Sequence, residues 1–84
     1  MGPSQAYQIV EILKNCYEGI IGKRYTIRKI RDCGIPIKED DILSSRTLEA
    51  ALGKVIERLH DSKLSFVHRD RMSSLLLRFS RDTL

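Results

Sequence analysis

At 84 residues the chain has room for one hydrophobic core, and with 42% hydrophobic and 31% charged residues it is too apolar for a disordered polymer. Fifteen basic side chains against eleven acidic ones leave a net charge of +4, a modest bias towards anionic partners such as nucleic acid or acidic lipid. No apolar run approaches the ~20 residues of a membrane span and no signal-peptide pattern opens the chain, so no membrane partner and an intracellular setting, nucleus or cytoplasm, are expected.

The opening residues 1–4, Met-Gly-Pro-Ser, are expected to be an expression remnant or disordered. From Ser4 to Ile21 the apolar residues Ala6, Ile9, Val10, Leu13, Cys16, Tyr17 and Ile20 follow helical spacing. Gln8, Glu11, Lys14, Asn15 and Glu18 take the other face. Ser4 is the expected N-cap and Gly22 the expected stop. Lys23 to Thr26 is expected as a short strand with Tyr25 buried, and Thr26 then caps a helix from Ile27 to Cys33. Gly34 suits the left-handed residue that closes a helix, because it has no Cβ to clash.

Pro36 disfavours helix at Ile35, so Ile35-Pro36-Ile37 is extended. Lys38 to Asp41 reads as exposed and acidic, and Ile42 and Leu43 add an inward turn. Ser44 or Ser45 opens a third long helix running to about His60, with Leu48, Ala51, Leu52, Val55, Ile56 and Leu59 on its inner face. After the turn at Asp61-Ser62-Lys63, Leu64 and Phe66 alternate as in a half-buried strand. Arg69 to Ser74 is polar enough to turn, and Leu75, Leu77 and Phe79 alternate again. A hairpin is the expectation, and residues 81–84 are expected to be a frayed tail.

Helix, short strand, two helices and a terminal hairpin together resemble the winged helix-turn-helix superfamily over about residues 5–80. The strongest local match is YTIRKIRDCGIP, which resembles the second-helix segment of many helix-turn-helix domains. The resemblance implies an α+β fold: three helices plus a two-stranded wing. It departs between Ile35 and Ser44, where a compact turn gives way to about ten residues. Such a domain is expected to belong to a larger replication, recombination or transcription factor.

Winged helices place the third helix in the major groove and the wing on the adjacent backbone. Carried onto this chain, that implies Ser45, Arg46 and Lys54 on the reading helix, although Glu49 and Glu57 on the same face would repel phosphates. His68, Arg69, Arg71 and Arg78 would form a basic wing. Lys23, Arg24, Arg28, Lys29 and Arg31 form a second cluster with no acid between Gly22 and Asp32. Double-stranded DNA is the expected partner, and the bland alternative is an ordinary solvated surface. The rival function is a protein-docking module or homodimer, using apolar residues on the hairpin's outer side such as Val67, Met72 and Leu76.

An enzyme is not expected. His60, His68, Cys16 and Cys33 lack metal-site spacing, Glu39, Asp40 and Asp41 resemble no calcium loop, and there is no nucleophile motif or glycine-rich phosphate cradle. No metal or cofactor is implied. Both cysteines fall on apolar helix faces and read as small buried hydrophobes.

Overall fold

The structure, a computed structural model, describes residues 2–83, with side chains over 5–81. Met1 and Leu84 therefore lie outside the described residues, as does the side chain of Ser4 and with it the expected cap. Five helices follow in order: α1 (Gly2–Tyr17), α2 (Lys23–Asp32), α3 (Glu39–Leu43), α4 (Leu48–Leu59) and α5 (Phe66–Thr83). Among the described residues there is no strand, so the α+β winged helix is overturned. The basic wing and the short strand at Lys23 fall with it.

The reason lies in the period of the last segment. Residues Leu64 to Phe79 satisfy a two-residue alternation only if Phe66 and Leu77 point inward. In the structure Phe66 is 77% and Leu77 49% exposed, while Met72 and Leu76 are wholly buried. Met72 and Leu76, with the partly buried Leu75 and Phe79 beside them, fall at helical spacing and form one stripe. A hairpin also needs a turn former, and no Gly, Pro or Asn follows Gly53. Ser65, expected inside a strand, instead caps α5: its Oγ accepts from the His68 backbone N–H at 3.2 Å.

Other boundaries shift for similarly local reasons. α1 stops at Tyr17 because Gly19 adopts φ +80°. The N–H of Gly19 then bonds the Cys16 carbonyl at 3.1 Å and that of Ile20 the Asn15 carbonyl at 2.9 Å, a Schellman closure. α2 begins at Lys23, so Thr26 lies inside it, buried, with its hydroxyl donating to the Gly22 carbonyl at 2.9 Å. Tyr25, expected to be buried, is 41% exposed. Gly34 closes α2 with φ +89°, as its place after Cys33 suggests. Thr47, rather than Ser44 or Ser45, caps α4 by accepting from the Ala50 N–H at 3.2 Å.

The core is aliphatic apart from partly buried aromatics at its edge. Ile9, Val10 and Leu13 of α1 meet Ile27 and Ile30 of α2, Ile42 of α3, Leu52, Val55 and Leu59 of α4, and Met72 and Leu76 of α5. Ile35 and Ile37 seal it from the α2–α3 link. α1 touches α2, α4 and α5, and α4 touches α1, α3 and α5. Among the described residues α2 and α5 lie apart and do not touch. Tyr17 pins the end of α1 to the α3–α4 link by donating its hydroxyl to the Ser45 carbonyl at 2.8 Å. Among the described residues, no helix is long and apolar enough to cross a membrane.

Candidate nucleic-acid interface

The separation of α2 from α5 decides which of the expected basic residues share a surface. Arg28, Lys29 and Arg31 stand on α2 with Lys23 and Arg24, whereas His68, Arg69, Arg71 and Arg78 stand on α5. With no hairpin to carry them round, the α5 residues do not flank α2, and the expected grip of two clusters on one duplex has no geometric basis.

Four of the expected residues outside α2 are engaged within the protein. Nε2 of His68 lies 2.9 Å from Oε1 of Gln5. Arg69 donates from Nη1 to the His60 carbonyl at 2.9 Å and lays its guanidinium 4.2 Å from the centre of the Phe66 ring. Its Nε is buried with no hydrogen-bond partner among the described residues. Ser45 is buried, and its Oγ donates to the Asp41 carbonyl at 2.6 Å, so it faces no ligand. Lys54 sits 3.7 Å from Glu57 one turn along α4. Arg46, Arg71 and Arg78 are exposed but lie on separate elements, Arg46 before α4 and the others on α5.

α2 is different. Its buried residues Thr26, Ile27 and Ile30 define an inner face, and everything else on the helix turns outward or to its edge. Arg24, Arg28 and Arg31 recur at i, i+4 and i+7, so they form one exposed stripe about 10 Å long. None of the five basic residues of α2 has a carboxylate within ion-pairing distance among the described residues. Tyr25 emerges beside the stripe, with Lys29 Nζ 5.4 Å and the Arg28 guanidinium 5.6 Å from its ring centre. Lys23 Nζ sits 5.8 Å from the Tyr17 ring at the helix's start. Sequence reasoning assigns Tyr25 to the core and so misses it for this surface. Its spacing of three and four residues from Arg28 and Lys29, which puts it on their side of the helix, is the signal that marks it as outward.

At the other end of α2, Arg31 turns over the α2–α3 link and donates from Nε to the Ile37 carbonyl at 2.9 Å. There it lines a cleft of about 580 Å3 whose walls include Pro36, Lys38, Asp61 and Lys63. This cleft joins two links that sequence periodicity cannot bring together.

The acidic segment serves the fold. Asp41, expected to be exposed, is 5% exposed and bound by Arg58. Among the described residues, no group of three or more His, Cys, Asp or Glu is placed to hold a metal ion. Cys16 and Cys33 are both free, Cys16 buried and Cys33 half-buried. Burial pushes the Cys33 thiol up, with Asp32 adding to the effect, which weakens it as a nucleophile near neutral pH. No family model, curated protein or solved structure matches the chain.

Proposed function

We propose that this is a non-catalytic nucleic-acid-binding module whose contact surface is the outer face of α2. The observation that carries the reading is the arginine stripe of Arg24, Arg28 and Arg31, free of carboxylate partners and flanked by Lys23, Lys29 and an exposed Tyr25. Unpaired cations close together repel one another, and a polyanion relieves that repulsion while releasing its own counterions. Guanidinium groups are suited to phosphate because their planar donors meet two oxygens at once. An aromatic ring interleaved with such cations is a further mark of nucleic-acid surfaces. The protein positions these groups by burying Ile27 and Ile30 on the opposite side of a ten-residue helix.

A 15N-labelled sample titrated with short nucleic-acid fragments at low salt tests this. Amide shifts are expected to concentrate on residues 23–32 and to fade as salt rises. Shifts confined to α4 and α5, or none at low salt, contradict the reading.

One observation favours a second reading, a protein-docking module. Phe66 and Val67, adjacent at the start of α5, are 77% and 71% exposed, and Leu77 is half-exposed further along the helix. Large exposed apolar side chains mark contact surfaces where they adjoin, as Phe66 and Val67 do. Of the hairpin residues expected to serve that role, Met72 and Leu76 are spent in the core, and Val67 alone is available.

A further inference from the structure

An arginine stripe alone serves a duplex and a single strand equally, since both carry phosphates. Two neighbouring features of this surface separate them. Tyr25 presents a 41% exposed aromatic ring over which Arg28 and Lys29 lie, so a base reaches its face as those two cations turn to phosphates. In a duplex the base faces are stacked on one another and the ring has nothing to receive. In a single strand the faces are free, and stacking on an aromatic side chain is the usual way of holding them.

The second feature is the cleft beyond Arg31. Its floor is hydrocarbon, from Pro36 over the buried Ile35 and Ile37, and its rim carries Lys38 and Lys63. Its one carboxylate, Asp61, has Arg58 3.8 Å away, which offsets its charge. The cleft, about 580 Å3 and open to solvent, is a shelf on which an unpaired nucleotide can lie with its base against hydrocarbon. Arg31 belongs to both stripe and cleft, so a strand following the arginines is delivered to it. From Tyr25 to Arg31 the helix advances about 9 Å.

We propose that α2 binds single-stranded nucleic acid, with phosphates on Arg24, Arg28 and Arg31, a base stacked on Tyr25 and a following unpaired nucleotide in the cleft between Lys38 and Lys63. The proposal rests on α2 being a nucleic-acid interface and specifies which form it takes. The chain contains no tryptophan, so Tyr25→Trp places a single indole reporter at the stacking position. A short oligo(dT) and a hairpin duplex of mixed sequence are titrated against this variant, the unaltered chain, Tyr25→Ala and the double variant Lys38→Ser/Lys63→Ser.

Oligo(dT) is expected to quench the indole and to bind about tenfold more tightly than the duplex. Tyr25→Ala is expected to weaken oligo(dT) about tenfold and leave the duplex unchanged. The lysine double variant should also act mainly on oligo(dT). Equal or tighter duplex binding, with Tyr25→Ala neutral or weakening both probes alike, overturns the single-strand proposal and leaves α2 as an interface. Failure of both probes to bind the unaltered chain at low salt overturns both. A circular dichroism spectrum of each variant checks that Tyr25 and the lysines are surface positions whose replacement leaves the helices intact.

Discussion

Arg58 on α4 meets Asp41 on α3 through two parallel hydrogen bonds, Nε to Oδ2 at 2.8 Å and Nη2 to Oδ1 at 3.1 Å. The same Oδ2 accepts the Lys38 backbone N–H at 2.9 Å, which closes the first turn of α3. A five-residue helix has little intrinsic stability, and this carboxylate fixes it to its longer neighbour. Asp41→Ala should cost about 2 kcal/mol in urea unfolding, since it removes the cap and leaves the guanidinium only its longer contact with Asp61. A change below about half a kcal/mol would show that α3 is held by Ile42 alone.

The pair also sets a pH dependence. The Arg58 hydrogen bond holds the Asp41 carboxyl below its ordinary range, assisted by the Lys38 N–H and opposed by burial. A lowered folded pKa means that the unfolded chain takes up the proton first. The contribution is therefore complete above the unfolded value, about 3.9, and is lost as pH falls through the lower folded value. Unfolding free energy should fall on acidification below about pH 4 more steeply in the unaltered chain than in Asp41→Asn. Parallel curves for the two proteins would show that other carboxylates govern the acid limb.

The replacement of a hairpin by α5 predicts which apolar residues matter. Leu76→Ala and Met72→Ala should each cost about 2–5 kcal/mol, because both side chains are wholly buried against α1 and α4. Leu77→Ser should lie within about half a kcal/mol of neutral, and Phe66→Ser, which gives up the Arg69 contact, should cost no more than about 1 kcal/mol. A hairpin demands the reverse ranking. Chemical denaturation of the four variants separates the two without any structural probe.

That contrast also shows where the sequence is legible. The inner faces of α1, α2 and α4 are plain in their spacing, because Ile and Leu there recur every three or four residues against polar neighbours. In Leu75-Leu76-Leu77 three successive apolar residues satisfy periods of both two and 3.6, so it is the burial of Met72 and Leu76 and the exposure of Phe66 and Leu77 that discriminate. Tyr25 is misread for a related reason. Aromatics are usually assigned inward, but Thr26 satisfies its own hydroxyl at Gly22 and can be buried instead. The basic run of α2 is readable as a run; that it stands apart from α5, and that its end opens into a cleft with Lys63, depends on tertiary packing alone.

Two glycines should respond differently to a methyl group. Gly19 and Gly34 both hold positive φ, which costs an L-residue about 1–2 kcal/mol. A Cβ on Gly19 meets open space, so Gly19→Ala should cost about 1 kcal/mol. On Gly34 it would sit 3.3 Å from Cδ2 of Leu64, which must give way. Gly34→Ala should therefore be the more damaging of the two, and Leu64→Ala should narrow the gap between them. Equal losses in both backgrounds would mean that Leu64 does not press on the end of α2.

The α2 interface predicts how binding responds to salt. Removing one phosphate-binding side chain should reduce the slope of log affinity against log salt by about 0.7 for a single strand and about 0.9 for a duplex. Arg24→Gln and Arg28→Gln should each take away roughly one such increment, and together roughly two, because neither guanidinium is ion-paired among the described residues. Arg71→Gln and Arg78→Gln, exposed on α5 and apart from α2, are the controls of equal charge change. If net charge alone drove binding, all four would lower affinity alike; if α2 is the contact surface, the α5 pair leaves the slope unchanged. Fluorescence anisotropy across a salt series distinguishes the two, and equal effects from both helices would discard a localised site in favour of diffuse attraction.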